Sequence, residues 1–260
     1  MVSQYTALVV ENDPTDDARR LGDWLREAGL VLETTRPHTG DELPETLDGY
    51  AALVVLGGEQ NAYPGPDGAH DAPWFPALEG LLRKAVRHQV PTLAICLGGQ
   101  LLATAHNGTV ERAVSGPEIG PTLVGKRDAA ARDPLFGPLP MAPDVLQWHL
   151  DEVTELPLGA VLLAASPRYP HQAFRIGQCA WGTQFHIECD TAMFAGWAAS
   201  GGAVLDALGY DAEAVVAACD AIMPDLEEVW QPFADRFARV VRGELAVVAD
   251  PARPLPLLGG

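Results

Sequence analysis

Cys96 stands at the junction of a short apolar run, Thr92-Leu93-Ala94-Ile95, and the segment Leu97-Gly98-Gly99-Gln100. The run has the length of a strand covered on both faces. Leu97, Leu101, Leu102 and Ala105 then recur at helical spacing, so a helix is expected just after the cysteine. A side chain at such a corner is pushed out of the turn, and glycines let strand and helix backbones pass closely. The free N–H groups of the first helical turn point at the sulfur and favour negative charge there. This is a setting for a thiol nucleophile. A single cysteine is nevertheless more often a small buried residue, and the glycines do not decide between the two readings by themselves.

A nucleophile of this kind needs a base, and the base needs a group that holds its tautomer. Both are offered downstream, in Cys179-Ala-Trp-Gly-Thr-Gln-Phe-His-Ile-Glu-Cys189. Alternation through Trp181, Thr183 and Phe185 predicts a strand ending at His186, and an extended backbone puts Glu188 on the same face. A third piece is Leu53-Val-Val-Leu-Gly-Gly-Glu-Gln60, an apolar strand that stops at Gly57-Gly58, where a sharp turn aims N–H groups outward. Attack on an amide carbonyl creates an oxyanion that needs two such donors. The N–H groups of Gly58 and Leu97 are the candidates. Taken singly, a His–Glu pair at a strand end and a Gly-Gly turn are both common.

In this chain order the three pieces resemble the class I (triad) glutamine amidotransferase family, with its Cys-x-Gly-x-Gln elbow, upstream Gly-Gly loop and downstream His-x-Glu pair. Cys96-Leu97-Gly98-Gly99-Gln100 matches the elbow, Gly57-Gly58 the loop and His186-Ile187-Glu188 the pair. The similarity covers roughly residues 5–200 and is strongest to stand-alone members related to the amidotransferase domain of GMP synthetase. Gly116-Pro-Glu-Ile-Gly120, Val145-Leu-Gln-Trp-His-Leu-Asp151 and Gln172-Ala-Phe-Arg-Ile-Gly177 also look like that subgroup. The departures are Ile187 where proline is frequent, Asn107-Gly108 in place of Gly-Gly, Pro121 where an aromatic residue follows Gly120, and Leu150 in place of a small residue after Trp148-His149. None removes a reacting group, and the last two reshape the expected substrate pocket.

The resemblance implies that Cys96, His186 and Glu188 are catalytic, that Gly58 and Leu97 hold the oxyanion, and that Gly57, Gln100 and His149 border the substrate. The implied reaction is hydrolysis of the side-chain amide of L-glutamine through a γ-glutamyl thioester on Cys96. Ammonia would pass to a separate synthetase chain, since the sequence has neither a Walker-type loop nor room for an ATP-dependent synthetase domain. A γ-glutamyl hydrolase or peptidase would use the same groups on another γ-glutamyl amide. The non-enzymatic alternative is a degenerate binding or regulatory subunit. No cofactor and no metal is implied.

Composition bounds the partners. The 260 residues carry a net charge of −18 with only 17 Lys and Arg, which argues against nucleic acid or an anionic membrane, because phosphate binding needs a basic face. Four cysteines without paired short spacings make neither a zinc signature nor a disulfide framework. No apolar run reaches the ~18–20 residues of a membrane span, and the start of the chain has no signal-like apolar core. A cytoplasmic location is expected.

Strands are predicted at residues 5–10, 30–35 and 51–56, with a helix starting at Asp13-Pro14-Thr15 and ending at Gly29, and an amphipathic helix over 74–87. Strands alternating with helices predict an α/β fold, a doubly wound, mostly parallel sheet of the flavodoxin-like three-layer kind, with its site at the carboxyl ends of the strands. Short strands at 110–113, 119–126, 145–149, 161–165 and 172–176 predict a small antiparallel addition. Helices are expected at 192–199 and 212–243, with Pro224 and Pro232 breaking or restarting the second. The expected division is an amidotransferase-like domain over 1–205, a helical segment over 206–247 packed on it, and a mobile tail over 248–260.

Overall fold

The structure, a computed structural model, describes residues 5–247; the tail expected at 248–260 lies outside the described residues. In chain order the elements are β1 (Thr6–Val10), α1 (Arg19–Glu27), β2 (Val31–Thr35), β3 (Ala52–Val55), α2 (Phe75–His88), β4 (Thr92–Ile95), α3 (Leu97–Thr104), β5 (Thr109–Arg112), β6 (Glu118–Leu123), β7 (Gly125–Lys126), β8 (Asp144–His149), β9 (Asp151–Glu155), β10 (Val161–Ala165), β11 (Ala173–Ile176), β12 (Ala180–Thr183), α4 (Thr191–Ser200), α5 (Gly202–Leu208) and α6 (Ala212–Val241).

Eight strands form one sheet in the order β2-β1-β3-β4-β12-β11-β10-β7. The run from β2 to β12 is parallel, and β12, β11, β10 and β7 pair antiparallel. Because side chains alternate along a strand, the sheet divides its apolar residues between two layers. Ala7, Val9, Val54, Leu93, Ile95 and Trp181 pack with α1, α4 and α6, while Leu8, Val10, Leu53, Val55 and Ala94 pack with α2 and α3. The result is the expected three-layer, mostly parallel fold. All five parallel strands run the same way, and the loops after β1, β3, β4 and β12 leave from their carboxyl-end edge toward the site.

Several local expectations fail, each for a physical reason. Asp13 does not start a helix. Its carboxylate accepts from the N–H and hydroxyl of Thr15 at 2.9 and 2.8 Å, closing a turn, and α1 begins only at Arg19. The stretch 119–126 is not one strand: β6 pairs with β8 in a separate ribbon, whereas β7 joins the main sheet at β10. β9 and α5 were not expected. β12 stops at Thr183 rather than at His186, whose only ladder contact is an isolated bridge to Leu146.

α6 runs unbroken through Pro224 and Pro232. An interior proline costs a helix about 3 kcal/mol, but burying a large apolar side chain returns about 1.5–3 kcal/mol. Cys219, Leu226, Trp230, Phe233 and Phe237 are all buried along this helix. Trp230 lies 5.3 Å from both Phe185 and Phe233 by ring centroids, and its indole N–H donates to the Asp144 carbonyl at 2.9 Å. Trp230→Ala is expected to lower unfolding stability by about 3–5 kcal/mol, read as a lower midpoint at constant slope in urea. A loss below about 1 kcal/mol would show that the helix is not anchored through this ring. No helix of the described residues is long and apolar enough to cross a membrane.

Candidate active site

The loops leaving β1, β3, β4 and β12 line one cavity of about 370 Å³. Cys96 forms its floor at the β4–α3 junction. It adopts φ 51° and ψ −111°, a region that costs an L-residue on the order of 1–3 kcal/mol. Two backbone hydrogen bonds hold it there, from the Cys96 N–H to the Thr183 carbonyl at 2.8 Å and from the Gln100 N–H to the Cys96 carbonyl at 2.9 Å. A Cβ on Gly98 would strike the Val55 carbonyl, and one on Gly99 would sit 2.6 Å from the Thr183 carbonyl. Only glycines let α3 start against the ends of β3 and β12.

His186 reaches the cavity from the irregular segment after β12. The Thr183 hydroxyl donates to the Phe185 carbonyl at 3.0 Å, turning the chain out of the strand, and the His186 N–H donates to the Leu146 carbonyl of β8 at 2.9 Å. Its Nδ1 lies 2.6 Å from Glu188 Oε1. A carboxylate only accepts, so the Nδ1 proton points at Glu188 and Nε2 is the atom left for the sulfur and substrate. The Trp197 ring backs the imidazole at 4.7 Å between centroids. Burial works against the charged imidazole, but the carboxylate of Glu188 and the sulfur of Cys96 outweigh it and hold His186 well above its usual range. Nε2 itself has no hydrogen-bond partner of proper geometry. Glu188 is fully buried.

Gly58 and Leu97 meet beside Cys96 on the cavity wall. As the first residue of α3, Leu97 has no acceptor within the helix for its N–H. The Gly58 N–H donates to no backbone carbonyl among the described residues. Gln100 lines the cavity, with its amide donating to the Gln184 side-chain carbonyl at 3.1 Å and the Asp151 carbonyl at 3.4 Å. Gln184 in turn donates to Cys96 Sγ at 3.6 Å. Gln184 was not singled out in the sequence, although the period of two that pairs His186 with Glu188 places it on the same side.

His149 also borders the cavity. Its Nδ1 faces the Asp151 carbonyl at 3.0 Å and its Nε2 faces Glu118 at 3.4 Å. Glu118 accepts from Ser166 and Gln172, and Gln172 from Gln147, so a buried polar cluster behind the wall fixes the ring. Gly57 does not line the cavity. The space where its side chain would be is occupied by Asp16 Oδ2, 2.6 Å from an ideal Cβ, and His186 Cε1, 3.2 Å from it. Gly57→Ala is therefore expected to push the Asp16 carboxyl or the His186 ring aside and lower turnover by about tenfold or more, since small misplacements at a reacting site are costly. Full activity in steady-state kinetics would show that this space is not needed.

Around the mouth, Arg112 pairs with Asp151 at 3.7 Å, and the Tyr63 hydroxyl reaches the same carboxylate at 3.4 Å. The other three thiols are buried, and Cys189 among them lies near Glu188 and Asp16. Burial pushes Cys179 up to about 11, Cys219 up to about 12 and Cys189 well above its usual range. Among the described residues, no group of three or more His, Cys, Asp or Glu side chains is arranged to hold a metal ion.

The model of the glutamine amidotransferase class-I family matches residues 19–193. YfeJ of Salmonella typhimurium, a glutamine amidotransferase-like protein, is 30% identical over 167 residues, which cover 64% of this chain and 68% of YfeJ. Gamma-glutamyl peptidase 4 of Arabidopsis thaliana is 33% identical over 141 residues, 52% of this chain and 53% of the peptidase. The glutamine-hydrolysing GMP synthase of Christiangramia forsetii is 32% identical over 187 residues, 72% of this chain and 31% of the synthase. The match thus spans about half of the peptidase and under a third of the synthase. The crystal structure of a glutamine amidotransferase from Thermotoga maritima superimposes with a TM-score of 0.79 at 26% identity, over 90% of this chain and 98% of that one.

Proposed function

Because the chain belongs to the class I glutamine amidotransferase family, we propose that it hydrolyses the side-chain amide of L-glutamine through a γ-glutamyl thioester on Cys96. The observation that carries this reading is the meeting of Cys96, the His186–Glu188 pair and the two unspent N–H groups of Gly58 and Leu97 on one cavity. The Cys96 thiolate attacks the amide carbon, and the carbonyl oxygen gains negative charge that the Gly58 and Leu97 N–H groups bind. The C–N bond then breaks while His186 Nε2 delivers its proton to the leaving nitrogen, so ammonia departs and the acyl group stays on sulfur. Water, deprotonated by the now neutral His186, attacks the thioester and releases glutamate and the thiolate. Glu188 keeps the imidazole in the tautomer both steps require.

The test is release of ammonia and glutamate from L-glutamine by the purified chain, with γ-glutamyl dipeptides alongside and Cys96→Ser as control. Cys96-dependent turnover of glutamine supports the proposal. No turnover of either substrate would refute it. A second reading, a γ-glutamyl peptidase, is favoured by the 33% identity to such an enzyme and by Arg112, a cation at the mouth placed to meet the carboxylate of a residue beyond the γ-glutamyl group. Turnover of dipeptides alone would establish that reading. In the first reading the proposed recipient of the ammonia is a separate synthetase chain; the region shared with GMP synthase is under a third of that enzyme.

A further inference from the structure

Asp16 belongs to no part of the mechanism above, yet it lines the same cavity as Cys96 and His186. It is held from the loop after β1, where the Asp13 turn places it and its own N–H donates to the Asp13 carbonyl at 3.2 Å. The side chain is buried, and Oδ1 has no hydrogen-bond partner. An unpaired buried carboxyl is costly, so its position asks for a reason. Its Oδ2 and the Cε1 edge of His186 fill the same gap, on the bare face of Gly57. Both lie so close to one point that they are within about 6 Å of each other, the range in which charges alter each other's protonation.

We propose that Asp16 is a positioning residue for His186: a second carboxyl, set across Gly57 from the ring, whose negative charge helps keep the imidazole protonated for delivery to the leaving nitrogen. The inference rests on the proposed role of His186. The groups facing Asp16 are Asp13 on its own loop, Glu59 from the loop after β3, and His186 with Glu188 from the segment after β12; Cys189 is a further neighbour. Arg20 of α1 neighbours Glu188 and Cys189. Burial dominates and pushes Asp16 up to about 7, with His186 pulling it down and Glu188, Asp13 and Glu59 pushing it up. Asp16 therefore gains its charge around neutral pH, while His186, held well above its usual range, still carries its proton. Above neutrality two carboxylates flank one imidazolium.

The charge is unfavourable to the fold and favourable to the ring, and the two effects separate in experiment. A buried acid that holds its proton to about 7, against 3.8 as its ordinary value, costs stability as pH rises from the lower value through the higher. Asp16→Asn is thus expected to melt above wild type by a margin that widens from pH 4 to pH 8. In the same variant the His186 ring titration, followed by NMR without substrate and assigned by its loss in His186→Asn, should move down by about one unit. The alkaline limb of kcat should move with it, leaving kcat about tenfold lower above the shifted midpoint and KM within about twofold. Asp16→Ser, equally uncharged but differently shaped, should move the His186 titration in the same direction. An unchanged His186 titration in either variant overturns the proposal. So does a raised KM with an unchanged titration, which would make Asp16 a substrate-binding group. A shifted titration in a chain that turns over neither glutamine nor γ-glutamyl dipeptides would uphold this role while removing the proposed function.

Discussion

Cys96→Ala is expected to reduce turnover of L-glutamine, or of whichever γ-glutamyl amide the wild type accepts, by about 10⁴–10⁶-fold. Without the sulfur no acyl-enzyme forms, and water must attack the amide directly. What remains is the binding and oxyanion stabilisation proposed for Gly58 and Leu97, which survive the change because backbone supplies them. The fold should survive as well. Cys96 is only 6% exposed, but alanine bears the same strain at φ 51° and leaves the hydrogen bonds to Thr183 and from Gln100 in place. Loss of activity with a nearly unchanged melting temperature therefore assigns the loss to the thiol. Activity retained within tenfold would mean that Cys96 is not the nucleophile.

Glu188→Gln should cost nearly as much, about 10³–10⁴-fold in kcat, by analogy with the loss seen when a serine protease triad exchanges its carboxylate for an amide. The amide keeps the shape of the side chain. It no longer fixes Nδ1 as the protonated nitrogen, and it removes the strongest charge holding the imidazolium. Burial then dominates, and the ring is expected to stay neutral through the neutral range, a base with no proton for the leaving nitrogen. The sign for stability follows from the same cause. A histidine whose folded value is raised contributes stability that is complete below its ordinary 6.5 and is lost as pH rises through the raised value. The stability gap between wild type and Glu188→Gln should accordingly be largest on the acid side and narrow toward alkaline pH. Rate measurements between pH 5 and pH 9, paired with thermal melts, check both parts. A variant within tenfold of wild-type kcat at neutral pH would rule out the orienting role of Glu188.

The two largest expected effects thus sit on residues whose proposed roles can be read from sequence order, whereas Asp16 and Gln184 needed the structure. The difference is one of range. The β4–Cys96–α3 corner is written in adjacent residues, because an apolar run, two close-packing glycines and a helical leucine stripe are local signals. His186 and Glu188 are two apart, so even though β12 ends earlier than its alternation predicts, the chain still brings their side chains to 2.6 Å. By contrast, the helix expected at Asp13 and the breaks expected at Pro224 and Pro232 were decided elsewhere. The Thr15 hydroxyl and N–H claimed the Asp13 carboxylate, and buried Trp230, Phe233 and Phe237 outweighed the local preference of proline.

The sequence by itself determined the α/β class, the β4–Cys96–α3 corner and the spacing of His186 and Glu188, since each is written in local patterns of neighbouring residues. Only the tertiary structure decided what surrounds them. Gly57 comes from the loop after β3, Asp16 from the loop after β1 and His186 from the segment after β12, and the gap they share exists because parallel strands end on one edge and deliver distant loops to one place. No pattern along the chain records that meeting, because the distances that set the charge on an imidazole are distances through space.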